Sequence, residues 1–189
     1  MGRWEPGAAG RLAHAALELY AERGFEQTTV EDIAARAGVT ERTFFRHFAD
    51  KREVLFAGSE SLEEALVRAV AAAPEGVPAL DVVGAGLEAL GAQLPTERAV
   101  SARRQAIISA NAELRERELI KLASLTSALA AALRGRGLDE TAASLTAEIG
   151  IAVFRVAFER WIEPGEERDF AAIVHESLAQ VRAVAAAGV

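Results

Sequence analysis

Apolar residues recur every three or four positions along most of the chain, and no sustained alternation of apolar and polar residues interrupts them. That spacing is typical of amphipathic helices, whereas strands would show a period of two. Clusters of glycine and proline divide the pattern. The predicted helices span residues 8–23, 28–38, 41–48, 51–72, 79–93, 96–133 with a break around 109–112, 139–162 and 169–187. The pattern therefore predicts an all-α fold of about nine helices, three short ones followed by about six longer ones.

The segment from residue 28 to residue 48 has the capping and terminating residues expected of two helices joined by a tight turn. Thr28 followed by Glu31 has the form of a capping box, which predicts that a helix starts at Thr28. Gly38 stands where a left-handed terminating residue is needed. Thr40 is then a good N-cap for a second helix over residues 41–48. This order of helix, turn and helix is typical of a DNA-reading unit.

The second of these helices separates aromatic from polar residues. Phe44 and Phe48 share one side, which predicts contact with a core. The other positions are expected to meet duplex DNA, and they are Thr40, Glu41, Arg42, Thr43, Arg46 and His47. In a helix-turn-helix, the N-terminal residues of the second helix reach base edges in the major groove. Arginine can pair there with guanine, and threonine can bond a base or touch a thymine methyl group.

A further capping signature follows directly. Asp50 and Glu53 repeat the spacing of a capping box, which predicts a third helix. Lys51 lies in the first turn of that helix, where phosphate is already favoured. We therefore predict that Lys51 anchors a DNA phosphate.

These residues resemble the N-terminal domain of the TetR family of transcriptional regulators, whose signature runs through T-[TS]-V-x-x-I-A-x-x-A-G-V-[ST] into T-[FL]-Y-x-[HY]-F-x-x-K. The resemblance covers roughly residues 8–56. The matching residues are Thr28, Thr29, Ile33, Ala34, Ala37, Gly38, Val39, Thr40, Thr43, Phe44, His47, Phe48 and Lys51. The resemblance implies that phosphates are held by Thr28 or Thr29, His47 and Lys51. It also implies that the residues facing bases are Thr40, Glu41, Arg42 and Thr43.

One position departs from the family signature. Phe45 stands where the signature has tyrosine, so the phenolic hydroxyl that would bond a phosphate is missing. Phe45 is expected to pack instead on a sugar or on a thymine methyl group. The same departure is the one feature that favours a different hypothesis, a helical interaction module whose reading helix has lost its DNA target.

The glycine and proline near the start of the chain predict that residues 1–7 form a flexible arm. The resemblance implies that residues 8–56 form the helix-turn-helix domain and that residues 57–189 form a larger helical domain that binds an effector and dimerises. By the logic of the family, a homodimeric repressor would bind a near-palindromic operator, and a small molecule would release it.

Two C-terminal helices carry the residues predicted for the dimer interface. The helix over 139–162 is apolar on two sides, so it must bury both. One side can close the core of the subunit, and the other can pair with the helix over 169–187 and with a second copy. The predicted interface residues are Leu145, Ile149, Val153, Val156, Phe170, Ile173, Val174, Leu178 and Val181. A large monomeric core is the alternative.

Apolar residues between 80 and 160 favour an apolar or amphipathic effector. The candidates for an aromatic wall are Phe154, Phe158 and Trp161. The candidates for binding an acidic head group are Arg103, Arg104 and Arg155, although arginines are more often exposed or ion-paired. A DNA-binding protein without an effector is the alternative, and it would lack a cavity.

Composition narrows the function classes. The 189 residues include no cysteine, which excludes disulfides, thiolate metal sites and cysteine nucleophiles. The three histidines are scattered and no glycine-rich loop suggests a nucleotide site, so neither an enzyme nor a metal or cofactor site is predicted. No unbroken apolar run of membrane-spanning length and no signal peptide are found, so we expect a cytosolic protein without a membrane partner.

The net charge of −7 is unexpected for a DNA-binding protein, but the charge is unevenly distributed. Residues 36–52 hold five lysines and arginines against two acidic residues. The acidic remainder is expected to suppress indiscriminate binding to nucleic acid. Affinity should therefore depend on a matching site and fall steeply with salt.

Overall fold

A computed structural model of the protein describes residues 7–187. Within that range the chain forms nine α-helices and one short 3-10 helix, and no strand. The helices are α1 Ala8–Arg23, α2 Val30–Arg36, α3 Glu41–His47, α4 Ser59–Ala72, α5 Ala79–Gly91, α6 Arg98–Ala110, α7 Ala112–Gly135, α8 Glu140–Trp161 and α9 Phe170–Ala186. The predicted all-α class is confirmed. The predicted N-terminal arm lies almost entirely outside the described residues.

The helices divide into two compact units. The first unit contains the chain up to residue 59 together with residues 102–119, and the second contains residues 60–101 and the chain from residue 120 onward. The first unit therefore extends beyond the segment 8–56 that the sequence suggested, because part of α6 and the start of α7 belong to it. Their side chains Ile107, Ile108 and Leu114 are buried.

In the first unit, α1 packs against α2, α3 and the 3-10 helix Glu53–Phe56. The buried side chains of this core include Leu12, Leu19, Ile33 and Phe44, none of which is more than 1% exposed. The apolar stripe of α1 thus supplies the support on which the two short helices rest.

The predicted helix over 51–72 is wrong at its start. Asp50 accepts hydrogen bonds from the backbone N–H groups of Arg52 at 2.7 Å and Glu53 at 3.3 Å, as the capping signature suggested. Only the 3-10 helix Glu53–Phe56 follows, and Gly58, with φ of +86°, separates it from α4. The three consecutive apolar residues 54–56 are all buried, which one face of an α-helix could not achieve.

In the second unit, α5 packs against α8 and α9, and α8 packs against α9. Glycine allows the close approach of α5 and α8. A Cβ atom added to Gly150 would lie 2.7 Å from Val83 Cγ1 and 3.1 Å from Leu129 Cδ2, so any side chain there would collide with the core. Leu66, Leu87 and Leu133 fill the same core and are fully buried.

α8 leaves much apolar surface uncovered within a single chain. Its most apolar 18-residue window has a mean hydropathy of 1.4, and only 33% of that window is buried. By length and composition alone such a helix could cross a membrane, but core helices of soluble proteins pass the same test. The buried side of α8 is built from small residues such as Ala143, Ala147 and Ala157, which contact the core of the second unit.

Candidate nucleic-acid interface

The N-terminus of α2 is fixed by a reciprocal cap, one residue later than predicted. Thr29 Oγ1 accepts a hydrogen bond from the Asp32 backbone N–H at 3.1 Å, and the Thr29 backbone N–H donates to Asp32 Oδ2 at 3.0 Å. Thr28 is completely buried, and its hydroxyl donates to the Gly24 carbonyl at 2.8 Å. The expectation that Thr28 caps the helix or holds a phosphate is therefore wrong, whereas Thr29 is exposed.

The turn between α2 and α3 has the predicted geometry. Gly38 adopts φ of +67°, a conformation that side chains rarely tolerate. The Val39 backbone N–H then donates to the Ala34 carbonyl at 2.9 Å and closes the end of α2. Thr40 begins α3 by accepting a hydrogen bond from the Thr43 backbone N–H at 3.2 Å. These contacts hold α3 in a defined direction relative to α2.

α3 has a buried aromatic side and an exposed polar side. Phe44 is fully buried and Phe48 is nearly so. The predicted DNA-facing residues that are exposed in the structure are Thr40, Glu41, Arg42, Phe45, Arg46 and His47, and Thr43 is half-buried. Within residues 7–187 neither Arg42 nor Arg46 takes part in an ion pair. Both guanidinium groups are therefore available to an external anion.

Lys51 does not have the geometry of a phosphate anchor. Its Nζ donates to the carbonyls of Phe25 at 2.9 Å, Thr28 at 3.2 Å and Glu26 at 3.4 Å. It also lies 4.3 Å from the centroid of the Phe25 ring. Since an ammonium group has three donors, these carbonyls use all of them. Lys51 instead fixes the loop between α1 and α2, which corrects the prediction.

The backbone of Lys51 is also tied to α1. The Tyr20 hydroxyl donates to the Lys51 carbonyl at 2.6 Å, and burial raises the pKa of Tyr20 well above its ordinary value of 10.0. Tyr20 packs edge-on against Phe25 at 5.3 Å between ring centroids. The two rings and the lysine thus clamp the loop that leads into the cap of α2. Sequence reasoning missed this clamp because Lys51 lies 23 to 31 residues from its hydrogen-bond partners.

Two of the basic residues counted for this region are neutralised locally. Arg36 pairs with Glu22 at 2.9 Å and Glu18 at 3.3 Å, and its hydrogen bond lowers the pKa of Glu22. Arg52 pairs with Asp50 at 2.5 Å and lowers the pKa of that carboxyl. The positive charge that faces outward is therefore concentrated on α3.

The geometry of α2 and α3 agrees with comparison to known proteins. A sequence model described as bacterial regulatory proteins of the tetR family matches residues 12–57. The regulator TcmR of Streptomyces glaucescens is 40% identical over 80 residues, which cover 42% of this chain and 35% of TcmR. The repressor KstR2 of Mycobacterium tuberculosis is 44% identical over 46 residues, covering 24% and 23% of the two chains. Residues 12–57 thus match the TetR family of bacterial regulatory proteins.

The matched segments span about a third or less of these relatives, which are named as a transcriptional regulator and a transcriptional repressor. Solved structures extend the likeness of fold to nearly the whole chain. SmeT in complex with triclosan superposes with a TM-score of 0.65 at 21% identity, covering 95% of this chain and 91% of SmeT. FadR of Bacillus subtilis in complex with stearoyl-CoA gives 0.61 at 21% identity, covering 91% and 96%.

The arginines predicted for an effector head group do not come together in one site. Arg104 belongs to the first unit, where its Nε donates to the Leu55 carbonyl at 2.6 Å. Its guanidinium lies 5.1 Å from the centroid of the Phe56 ring, and burial lowers its pKa. Arg103 and Arg155 are exposed. The prediction of a basic head-group site is therefore not retained for Arg104.

The aromatic residues predicted for the effector wall do come together in the second unit. Phe154 and Phe158 stack at 5.9 Å between ring centroids, and Trp161 lies 6.0 Å from Phe158. Phe170 lies 6.0 Å from both Phe154 and Trp161 and completes the cluster. Sequence reasoning assigned Phe170 to the dimer interface, but it is buried among these rings.

Sequence reasoning also missed Arg98. Its guanidinium lies 5.5 Å from the centroid of the Trp161 ring. It donates hydrogen bonds to the backbone carbonyls of Glu166, Glu167 and Arg168 in the turn between α8 and α9. No local signal marks this residue, because its partners are 68 to 70 positions away.

In the described part of the chain, no group of three or more histidine or acidic residues could hold a metal ion.

Five of the nine residues predicted for the dimer interface are buried in the chain's own core. These are Val153, Phe170, Ile173, Val174 and Leu178. The error has a simple cause, since the apolar residues of α9 were assigned to a partner, although α5 and α8 pack against this helix within one chain. Leu145 and Val156 are 61% and 50% exposed, and Ile149 and Val181 are half-buried. Ile149 and Val181 pack partly against the core, so only Leu145 and Val156 remain on the uncovered side.

Proposed function

We propose that this TetR-family chain is a sequence-specific transcriptional repressor that acts as a homodimer in the cytoplasm and is released from DNA by a small apolar or amphipathic effector. The observation that carries the proposal is the outward side of α3. It combines the exposed, unpaired cations of Arg42 and Arg46 with short polar side chains on a helix whose other side is locked by Phe44. A rigid helix of this kind fits the major groove.

The side chains of α3 divide into base readers and backbone contacts in this proposal. Arg42 pairs with the O6 and N7 acceptors of guanine, and Glu41 accepts from the amino group of cytosine. Thr40 and Thr43 reach base edges from the first turn. Arg46 and His47, together with Thr29 at the cap of α2, contact phosphates. Lys51 supports this surface without touching DNA.

The uncovered sides of α8 and α9 support the homodimer. Leu145 and Val156 lie on one face of α8 with the small residue Ala152 exposed between them. On α9 the exposed positions include Ala172, Ala179 and Ala183, which permit close approach of another helix. Two copies joined about a two-fold axis would place two α3 helices on a near-palindromic operator.

The aromatic cluster supports an apolar effector. FadR and SmeT, which share the fold, were solved with stearoyl-CoA and with triclosan, and each ligand has a large apolar part. In the present chain Phe154 and Phe158 are half-buried, so their rings still offer surface to a ligand. A DNA-binding or protein-interaction module without an effector is the second candidate, because the cluster also serves as ordinary core.

The first experiment is selection of genomic fragments by the purified protein at about 150 mM salt, a concentration that removes much of the purely electrostatic binding. We expect an inverted repeat to be enriched. Arg42→Ala should weaken binding by about 1–3 kcal/mol and relax preference at one base pair per half-site. Arg155→Ala, which removes an exposed arginine from α8, is the matched control and should change neither. No enriched sequence would contradict the proposal.

The dimer is tested by sedimentation of two matched variants. Val156→Glu places a charge on the uncovered face of α8 and should shift the protein toward monomer. Leu119→Glu changes a side chain that is 61% exposed but lies in the first unit, and it should leave the dimer intact. The effector is tested separately by adding stearoyl-CoA or triclosan to the operator complex and measuring release. Release by neither probe would favour the module without an apolar effector.

A further inference from the structure

α3 presents one large apolar side chain on its otherwise polar outer surface. Phe45 is 55% exposed, although its neighbours Arg42, Arg46 and His47 are polar and face solvent. An exposed apolar side chain is not unusual by itself, but Phe45 lies within the polar surface that the proposed function places against DNA. A partner that covers this surface would bury the Phe45 ring, and that burial would contribute to binding.

Phe45 is held in a defined position. Its ring packs edge-on against the buried ring of Phe44, with the centroids 5.4 Å apart and the planes at 80°. It follows Glu41 by four positions and Arg42 by three, so it lies beside them one helical turn further along. A ligand that contacts the outer side of the first turn of α3 consequently reaches the Phe45 ring.

The chemistry of the ring restricts what it can recognise. Phenylalanine has no hydrogen-bond donor or acceptor, so it cannot bind a phosphate or the polar edge of a base. The apolar feature that base pairs present in the major groove is the C5 methyl group of thymine. We infer that Phe45 reads a thymine methyl group in each operator half-site and so determines specificity there. This inference rests on the proposed function, because it requires that α3 enters the major groove.

A methyl contact has a different signature from packing on deoxyribose. Every nucleotide carries the sugar, so sugar packing strengthens binding to all sequences equally. A methyl contact distinguishes thymine from uracil, which forms the same base pair and differs only at C5. Burying one methyl group corresponds to about a fourfold gain in affinity.

The test uses synthetic duplexes that contain the operator recovered by genomic selection. Each thymine in the half-sites is replaced in turn by deoxyuridine, and the dissociation constant is measured for the full-length protein. At one or two thymines per half-site we expect the replacement to weaken binding about fourfold. Replacement at the other thymines should have no effect.

Two variants assign the methyl contact to Phe45. Phe45→Ala should bind the thymine and uracil duplexes equally, at the affinity that the unmodified protein has for uracil. Phe45→Leu keeps an apolar side chain and should retain part of the discrimination. Arg42→Ala is the matched control on the same helix, and it should weaken binding while the preference for thymine over uracil persists. Circular dichroism checks that each variant is folded.

Three outcomes would overturn the inference while leaving the proposed function intact. In the first, the protein binds its operator specifically but tolerates uracil at every position. In the second, Phe45→Ala weakens binding to all sequences by the same factor, which is the result for sugar packing. In the third, Phe45→Ala still prefers thymine, so that another residue reads the methyl group. Failure to select any operator would instead overturn the proposed function.

Discussion

The helix-turn-helix unit and the C-terminal helical unit use helices in opposite ways. α3 is seven residues long, rests on one buried side chain and turns most of its other side chains outward. α8 and α9 are 22 and 17 residues long, and each buries several large apolar side chains in the core, among them Ile151 and Trp161 of α8 and Phe170 and Leu178 of α9. Short helices in water are unstable by themselves, so α3 depends on its caps and on Phe44. The contrast teaches that the position of the exposed side chains of α3 depends on a few local contacts.

The largest expected effect comes from two adjacent residues of α3. Phe44→Ala should lower the free energy of unfolding of the first unit by about 3–5 kcal/mol, because it empties a fully buried site. Phe45→Ala should change that free energy by less than about 0.5 kcal/mol, because the side chain is largely exposed. Thermal unfolding followed by circular dichroism measures both. Similar losses in the two variants would contradict the division between core and reading surface.

A pair of glycines makes the corresponding test in the second unit. Gly150→Ala should destabilise the protein by about 1–3 kcal/mol, because the added Cβ would lie 2.7 Å from Val83 Cγ1. Gly135→Ala has no atom within 4 Å of the added Cβ and should be neutral or stabilising by up to about 1 kcal/mol. Chemical denaturation compares them. If Gly150→Ala were as stable as Gly135→Ala, close approach of α5 and α8 would not be the reason for the glycine.

The local signals of the first unit were sufficient to predict its helices but not the exact residue at which each helix begins. Gly38 and Thr40 could be assigned from sequence because a terminating glycine and an N-cap act on the residues next to them. Thr28 and Thr29 both have an acidic residue three positions later, so the pattern allowed either cap. Thr28 is not the cap, because its side chain is buried and its hydroxyl donates a hydrogen bond to the Gly24 carbonyl.

In the second unit the helices were predictable but their partners were not. Amphipathic spacing shows that a side of a helix must be covered, but it does not show which neighbour covers it. Val174 and Leu178 were therefore assigned to a second subunit, although both are buried within one chain. Arg98 was missed for the same reason, since its contacts join distant parts of the sequence.

Lys51 and Arg46 offer a comparison within the first unit, between a cation that supports the fold and one that faces outward. Lys51→Met should lower stability by about 1–3 kcal/mol and weaken DNA binding, because three carbonyls lose their donor. The dependence of affinity on salt should stay unchanged, because no phosphate contact is lost. Arg46→Ala should preserve stability and reduce the salt slope by about one ion. Operator binding at several salt concentrations gives both slopes.

A reduced slope in Lys51→Met would contradict the structural role of Lys51 and restore the phosphate contact that the family signature implies. A stable Lys51→Met protein would point the same way. The two variants thus separate a cation that stabilises the fold from a cation that contacts phosphate. Composition alone does not distinguish them, since Lys51 and Arg46 both contribute to the local excess of basic side chains.

The smallest expected effect concerns the turn between α8 and α9, where Glu166 and Arg168 form an ion pair. Hydrogen bonds from Arg168 hold the pKa of Glu166 at about 2, below its ordinary value of 4.5. A carboxyl whose pKa is lower in the folded state stabilises the fold above pH 4.5, and this stabilisation is lost as the pH falls toward 2. Glu166→Gln should therefore be less stable than the unmodified protein at pH 6 and approach it at pH 3. Since the Arg168 side chain is exposed and solvent screens the pair, the difference should be small, and thermal unfolding of the two proteins side by side measures it. A difference that stayed constant with pH would show that this turn is held by Arg98 and its backbone contacts alone.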